Sequence, residues 1–476
     1  MKFLKKFYWG IIPILGWIIV RFGFDFNGLY GQDAYAYLLH AREWKVFFLG
    51  GNTPGSFFWP PNYSIVSGFL GIILQSEIYA LQLVSVGSLI GTAWIVDKWI
   101  SRAYHIENHT RIAFVTLAIL LSPYLFRLGQ QSMSDMLAMF FLTASFYHLW
   151  NYLKTDSIKS LILWSLFSAF AITTRYPAVI ILLPALVYVG FRLMSKRQFG
   201  KFVVGLLPGL IPLSFAILWK LKTGGINNDI QNVILEGLRF SNFLKTEFHN
   251  ADGSSSYMLP NLLFNLSVAI HPGTFFLGLA LLPFSFTGLK RDRFRLILLT
   301  SILVYALFLS GIPFQNSRVM TFSFPLVVMF LYPAFLRLTS LFESKKAPLK
   351  VVFSLCVFVQ IALCARAMQP SVSYNYFERE LVSWVETTCA AKVIYTSSYS
   401  QLFDVYNTGN PLMEIFNTRY SSFEDNSVFI FNEALIEGKI KQTVPHQNWE
   451  QANKLMSVEK EKCWSNGWCI YALQLK

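Results

Sequence analysis

Two aspartates sit where a carboxylate could do chemistry. Asp33 falls in Leu29-Tyr30-Gly31-Gln32-Asp33-Ala34-Tyr35-Ala36-Tyr37-Leu38-Leu39-His40-Ala41-Arg42-Glu43-Trp44, which reads as a short amphipathic helix with the acid near its start. Asp135 falls in Ser132-Met133-Ser134-Asp135-Met136, in the turn between two apolar runs. Backbone N–H groups at a helix start favour a carboxylate, so either residue can serve as a cap and nothing more. The chemistry open to them is removal of a proton from a hydroxyl, which makes both catalytic candidates. Joined across loops they could also hold Mg2+ or Mn2+, the ions that suit carboxylate oxygens. Asp33 and His40 cannot chelate one ion directly, because seven helical residues separate them by about 10.5 Å. Tyr37, His40 and His271 are candidates for a substrate pocket; His271, before Pro272, also fits an ordinary helix cap.

Cations are the second ingredient. Arg175, in Thr174-Arg175-Tyr176-Pro177, and Arg318, in Gln315-Asn316-Ser317-Arg318, lead the candidates for gripping a phosphate; Arg127, Arg42 and Lys45 follow. A guanidinium presents a planar fork that matches two phosphate oxygens. The competing role for all five is snorkelling towards lipid headgroups.

The elements that must position these groups belong to a membrane. Of 476 residues 54% are hydrophobic and only 14% charged, and the mean hydropathy is +0.45. About 25% charged is usual for a soluble chain, so lipid is the expected solvent. The +14 formal charge does not indicate nucleic acid, since no basic stripe, phosphate-cradling glycine loop or zinc spacing accompanies it. Apolar stretches place helices near 4–22, 78–97, 111–127, 136–153, 159–175, 177–194, 201–219, 265–288, 295–311, 320–340 and 349–367. The first follows Met1-Lys2-Phe3-Leu4-Lys5-Lys6 and lacks a small-residue cleavage site, as a retained signal anchor would. With the N-terminus inside, basic residues at the cytoplasmic ends outnumber those outside by about two to one, as the positive-inside rule requires.

These counts predict an α-helical polytopic membrane protein of about eleven transmembrane helices. A transmembrane domain over 1–367 would carry large outer loops at 23–77 and 220–264. A small extracytoplasmic α/β domain would follow over 368–476, with strands at 393–395 and 428–431 and a helix at 376–388. Cys389, Cys463 and Cys469 lie in that last region, where one disulfide can form; the sequence leaves all three pairings open.

Taken in order, Asp33, the Pro60-Pro61 turn, Asp135, Thr174-Arg175-Tyr176-Pro177, Gln315-Asn316-Ser317-Arg318 and the Phe324-Pro325 helix resemble the GT-C class of membrane glycosyltransferases. The branch holding protein O-mannosyltransferases and the bacterial lipid A aminoarabinose transferase is the most similar. The resemblance covers residues 1–340 and not the C-terminal region. It implies an inverting, hexosyltransferase-type enzyme that takes a sugar from a polyprenyl-phosphate carrier. The acceptor would be a lipid, glycan or protein outside a bacterial-type inner membrane. One position departs from the pattern: members often have Asp-Glu in the first loop, and here Ala34 follows Asp33. A non-catalytic envelope scaffold of the same fold, and a lipid or solute transporter, are the rival readings. A transporter would show ionisable residues at mid-membrane and paired broken helices, whereas the charges here gather at the ends of apolar runs.

Overall fold

The computed structural model describes residues 2–104, 108–224, 237–250, 253–340, 346–388, 393–396, 399–406, 409–432, 441 and 443–476. Cys389 and part of the 220–264 loop lie outside the described residues. The chain divides into two compact units. The first comprises Met1–Gly28, His40–Leu244 and Asn261–Pro370; the second comprises Leu29–Leu39, Lys245–Pro260 and Ser371–Lys476.

The first unit is helical, and among the described residues six helices are long and apolar enough to cross a membrane. They are Glu77–Tyr104, Ala178–Ser195, Phe199–Lys222, Arg293–Gly311, Ser317–Ser340 and Val351–Thr387. The pair His109–Leu120 and Pro123–Gln130 bends by 62° at its break and makes a seventh if it is one span. Phe7–Gly23, Asn62–Leu74 and Ile158–Thr174 are apolar but shorter. By length and apolarity, then, six or seven spans qualify among the described residues, fewer than the eleven expected.

The clearest departure is 265–288. It is broken into Asn261–Leu266, Ser267–Ala269, Pro272–Phe275 and Gly278–Ser285. Pro272 and Pro283 supply no backbone N–H to a helical ladder. Between them Gly278 sits so close to the Ala269 carbonyl that a Cβ would lie 1.7 Å from its oxygen. Hydropathy finds the apolar run but not the breaks within it.

The Asp135–Thr155 helix shows how the unit packs. Met136, Ala138, Met139, Leu142, Phe146 and Leu149 are buried around much of its circumference, the pattern of a helix surrounded by others. Ser145 shares a 2.7 Å hydrogen bond with Ser168 of the Ile158–Thr174 helix, so two small polar side chains satisfy one another in the interior.

Among the described residues of the second unit seven strands form, β1 (Glu247–Asn250), β2 (Gly253–Ser256), β3 (Val393–Thr396), β4 (Leu412–Glu414), β5 (Ser427–Asn432), β6 (Met456–Cys463) and β7 (Trp468–Leu475). The first two make an antiparallel hairpin, and the others a sheet of order β4-β3-β5-β7-β6. β3 runs parallel to β4 and β5, whereas β7 runs antiparallel to β5 and β6. Every residue of β5 is buried, as expected of a central strand covered on both faces. Phe429 and Phe431 point to one side, where Trp449 of the Val444–Leu455 helix packs on both. The strands at 393–395 and 428–431 thus stand where the residue pattern put them.

Cys463 and Cys469 are joined in a disulfide across the β6–β7 hairpin. The helix expected at 376–388 is the end of Lys346–Thr388, a helix of 43 residues and about 65 Å. Since about 20 residues span the hydrocarbon, its last part, assigned to the second unit from Ser371 onward, extends past the membrane-spanning segment.

Candidate active site

In the first unit, the Asp135–Thr155 helix begins at the acid that the sequence singled out. Its carboxylate is 2% exposed, and two arginines from distant parts of the chain reach it. Arg175, which ends the Ile158–Thr174 helix, donates to Asp135 Oδ1 from Nη2 at 2.6 Å and from Nε at 3.2 Å. The Arg318 Nε stands 3.5 Å from Oδ2. Arg175 also lies over the Trp59 ring at 5.1 Å, and Asn62 holds Thr174 beside it with a 2.9 Å hydrogen bond to Oγ1. The Pro60-Pro61 turn between Trp59 and Asn62 therefore supports the Arg175 end of the cluster.

Arg318 sits in the short Ser317–Met320 helix, whose Asn316 cap accepts from the Arg318 N–H at 2.9 Å. Its neighbour Ser317 accepts from Arg127 Nη2 at 3.5 Å. Arg127 in turn lies over the Tyr124 ring at 5.1 Å, and Tyr124 stacks on His271 at 5.3 Å. The His271 Nδ1 accepts from the Gly273 N–H at 3.0 Å, so the imidazole does cap Pro272–Phe275. Two guanidiniums thus meet one carboxylate, and a third, Arg127, is tied to the Ser317 beside Arg318. That leaves net positive charge in a sheltered place, where it acts more strongly on an anion than in water.

Other predicted residues fall elsewhere. Lys45 forms a 2.6 Å ion pair with Glu77. Arg42 is half-buried on the Gly31–Phe48 helix. His40 is buried, stacked on Phe57 at 4.0 Å and tilted against Trp219 at 5.3 Å. Burial, aided by the charge of Lys220, pushes its imidazole down to about 3, so it stays neutral at ordinary pH. Lys220 was not among the site residues that the sequence suggested. Its Nζ donates to the Phe58 carbonyl at 2.9 Å and lies 5.2 Å from the Tyr176 ring centroid. The signal was a lysine after Trp219 at the end of an apolar helix, beside the Trp59 segment only in three dimensions.

Asp33 and Tyr37 belong to the second unit. Asp33 lies in the first turn of the Gly31–Phe48 helix, half-buried, while Tyr37 is fully buried. Tyr35 donates to Glu378 Oε2 at 3.1 Å, and Asn375 Nδ2 donates to the Leu29 carbonyl at 3.0 Å. Glu378 was missed because its role depends on a partner 343 positions away.

A divalent metal is poorly served by this donor set. Asp135 Oδ1 is taken by Arg175, and Oδ2 faces the positive charge of Arg318 at 3.5 Å, which disfavours a second cation there. Among the described residues, the grouping with metal-like spacing is Glu461, Cys463 and Cys469, and its two sulfurs are tied to each other.

No protein-family model and no curated protein matches the sequence. Solved structures do. ArnT of Cupriavidus metallidurans in its apo state aligns over 98% of this chain and 97% of its own, with TM-score 0.60 at 13% identity. The same protein bound to undecaprenyl phosphate aligns over the same shares, with TM-score 0.61 at 12% identity. The Archaeoglobus fulgidus oligosaccharyltransferase tethered to an acceptor peptide aligns over 99% of this chain and 74% of its own, with TM-score 0.52 at 11% identity. The chain has the GT-C glycosyltransferase fold. The likeness reaches past residue 340, the limit of the sequence resemblance. In this GT-C chain the arginine cluster and the Asp33 helix both come from segments that carried the resemblance.

Proposed function

We propose that the chain is an inverting glycosyltransferase that moves a sugar from a polyprenyl-phosphate carrier to an acceptor hydroxyl. The observation that carries this reading is the pair Arg175 and Arg318 on Asp135, with Arg127 joined to it through Ser317, in a fold shared nearly end to end with ArnT. That neighbour's structure with undecaprenyl phosphate supports the same class of carrier here. Asp33 is the base: it takes the acceptor proton as the acceptor oxygen attacks the anomeric carbon. The bond from that carbon to the phosphate oxygen breaks, and the carrier phosphate leaves with the electron pair. One displacement inverts the anomeric centre. The arginines bind the departing phosphate, whose growing charge they offset. Asp135, being ion-paired twice, orients them and does not itself take the proton.

The acceptor is a lipid, glycan or protein on the outer face of a bacterial-type inner membrane. The N-terminus is cytoplasmic, and residues 368–476 form an extracytoplasmic domain that selects the acceptor. A non-catalytic scaffold is the second reading, favoured by Ala34 after Asp33. Membranes bearing the native chain or Asp33→Asn, given labelled polyprenyl-phosphate hexoses and pentoses, separate the two. Turnover lost in the variant at equal expression supports the enzyme. A native chain that neither turns over nor binds any donor leaves the scaffold.

A further inference from the structure

A cavity of about 530 Å3 opens in the first unit away from the arginine cluster. Trp150 and Lys154 line it from the far end of the helix that starts at Asp135. Fifteen to nineteen residues at 1.5 Å each put it about 22–28 Å from Asp135 along that helix. Trp99 and Tyr104 near the end of Glu77–Tyr104, Arg192 near the end of Ala178–Ser195 and Arg293 at the start of Arg293–Gly311 also line it, so the cavity lies where three candidate spans end, the depth of a membrane boundary.

Its walls combine two chemistries. Trp99, Trp150 and Phe294 supply ring faces, with Trp99 5.5 Å from Phe294 and 6.5 Å from Trp150. Lys154, Arg192, Arg293 and Arg295 supply positive charge. Among the lining residues the one carboxylate is Asp292, which accepts from the Arg295 N–H at 3.1 Å and so caps its helix; Arg192 also pairs with Asp156, outside the lining, at 3.4 Å. The Arg192 and Arg295 guanidiniums each bury an Nε that has no hydrogen-bond partner. Arg295 is only 6% exposed, held by the Thr287 and Ser285 carbonyls and by the Phe330 ring at 5.2 Å. A buried cation held by neutral groups lacks a counter-charge, which is costly unless an anion completes the site.

We propose that this cavity binds the phosphate-bearing headgroup of an acidic phospholipid. The volume lies in the range of small-ligand sites. Basic pockets between transmembrane helices have the charge to take such headgroups, and tryptophans suit the boundary depth. Arg192 and Arg295 offer the phosphate guanidinium donors, with Lys154 and Arg293 at the more exposed edge. None of these residues has a part in the sugar-transfer reading, so either proposal can fail without the other.

The test uses the purified full chain in detergent, with retained lipid counted by native mass spectrometry against phosphatidylglycerol, phosphatidylcholine and inorganic phosphate. The expected result is one phosphatidylglycerol per chain that phosphatidylcholine does not displace. Its affinity should fall at least tenfold in Lys154→Ala/Arg293→Ala, with the thermal midpoint in phosphatidylcholine unchanged. If that double variant loses its fold, Arg293→Ala alone should still show a several-fold drop. Unchanged retention in a folded variant, or free exchange with phosphatidylcholine, would overturn the proposal. Displacement by millimolar inorganic phosphate would overturn its lipid part and make this a soluble-phosphate site.

Discussion

Tyr35 donates a 3.1 Å hydrogen bond to Glu378, joining the first turns of the Gly31–Phe48 helix to the far end of the Lys346–Thr388 helix. Glu378 is 1% exposed. Burial pushes its carboxyl up to about 8, although the Tyr35 hydroxyl and the Gly31 N–H oppose the rise. The unfolded chain gives up this proton near the ordinary value of 4.5. The contribution to stability is therefore complete below that value and is lost as pH rises through about 8. Thermal midpoints in detergent should fall more steeply from about pH 5 to 8 in the native chain than in Glu378→Gln. Parallel slopes would show that Glu378 does not titrate in this window.

Asp135 carries a different kind of load. Replacing it with Asn leaves Arg175 and Arg318 without their shared counter-charge in a buried setting. The expected cost is about 3–5 kcal/mol, read as a lower unfolding midpoint. Asp135→Leu combined with Arg175→Met should lose less than the sum of the two single changes, because each single change strands a charge.

Arg318 tests the phosphate assignment. Arg318→Lys keeps the charge but loses the planar fork. Donor KM should rise on the order of tenfold, as expected when a charged hydrogen bond worth ~1.5 kcal/mol is lost. Steady-state kinetics with a turned-over donor measures it, and an unchanged KM would remove Arg318 from the site.

The Phe199–Lys222 helix packs against Ile158–Thr174 through small residues. A Cβ on Gly209 would lie 2.3 Å from Ser165 Oγ and 2.8 Å from its carbonyl oxygen. Close approach of this kind drives helix association in lipid, where apolar burial does not. Gly209→Val should cost about 1–3 kcal/mol. Gly190→Ala, in open space within its own helix, should be neutral or slightly stabilising. Comparing the two unfolding midpoints checks the contact.

Much of this fold can be read from runs of residues. The apolar stretches at 78–97, 177–194, 201–219, 295–311 and 320–340 all lie in helices long enough to span. Val393–Thr396 and Ser427–Asn432 are strands of the kind their β-branched and aromatic content favours. The failures share a cause. An average over a window sees how apolar 265–288 is, but not that its prolines lack donors or that Gly278 must touch a carbonyl. Site candidates followed the rule that a charge at the end of an apolar run needs a reason. That rule singles out Arg175, Arg318 and Asp135 without revealing that they pair. It treats Lys45 the same way, although Glu77 already neutralises it, and passes over Glu378, whose partner arrives from the other end of the chain.

The Cys463–Cys469 bridge has a consequence for how the chain is made. Two thiols at the ends of one hairpin stay reduced in a reducing cytosol and close on reaching an oxidising compartment. On the proposed extracytoplasmic placement of the C-terminal sheet, the fraction of chains still open to alkylation at these two sulfurs in pulse-labelled cells would time that sheet's arrival in the oxidising compartment.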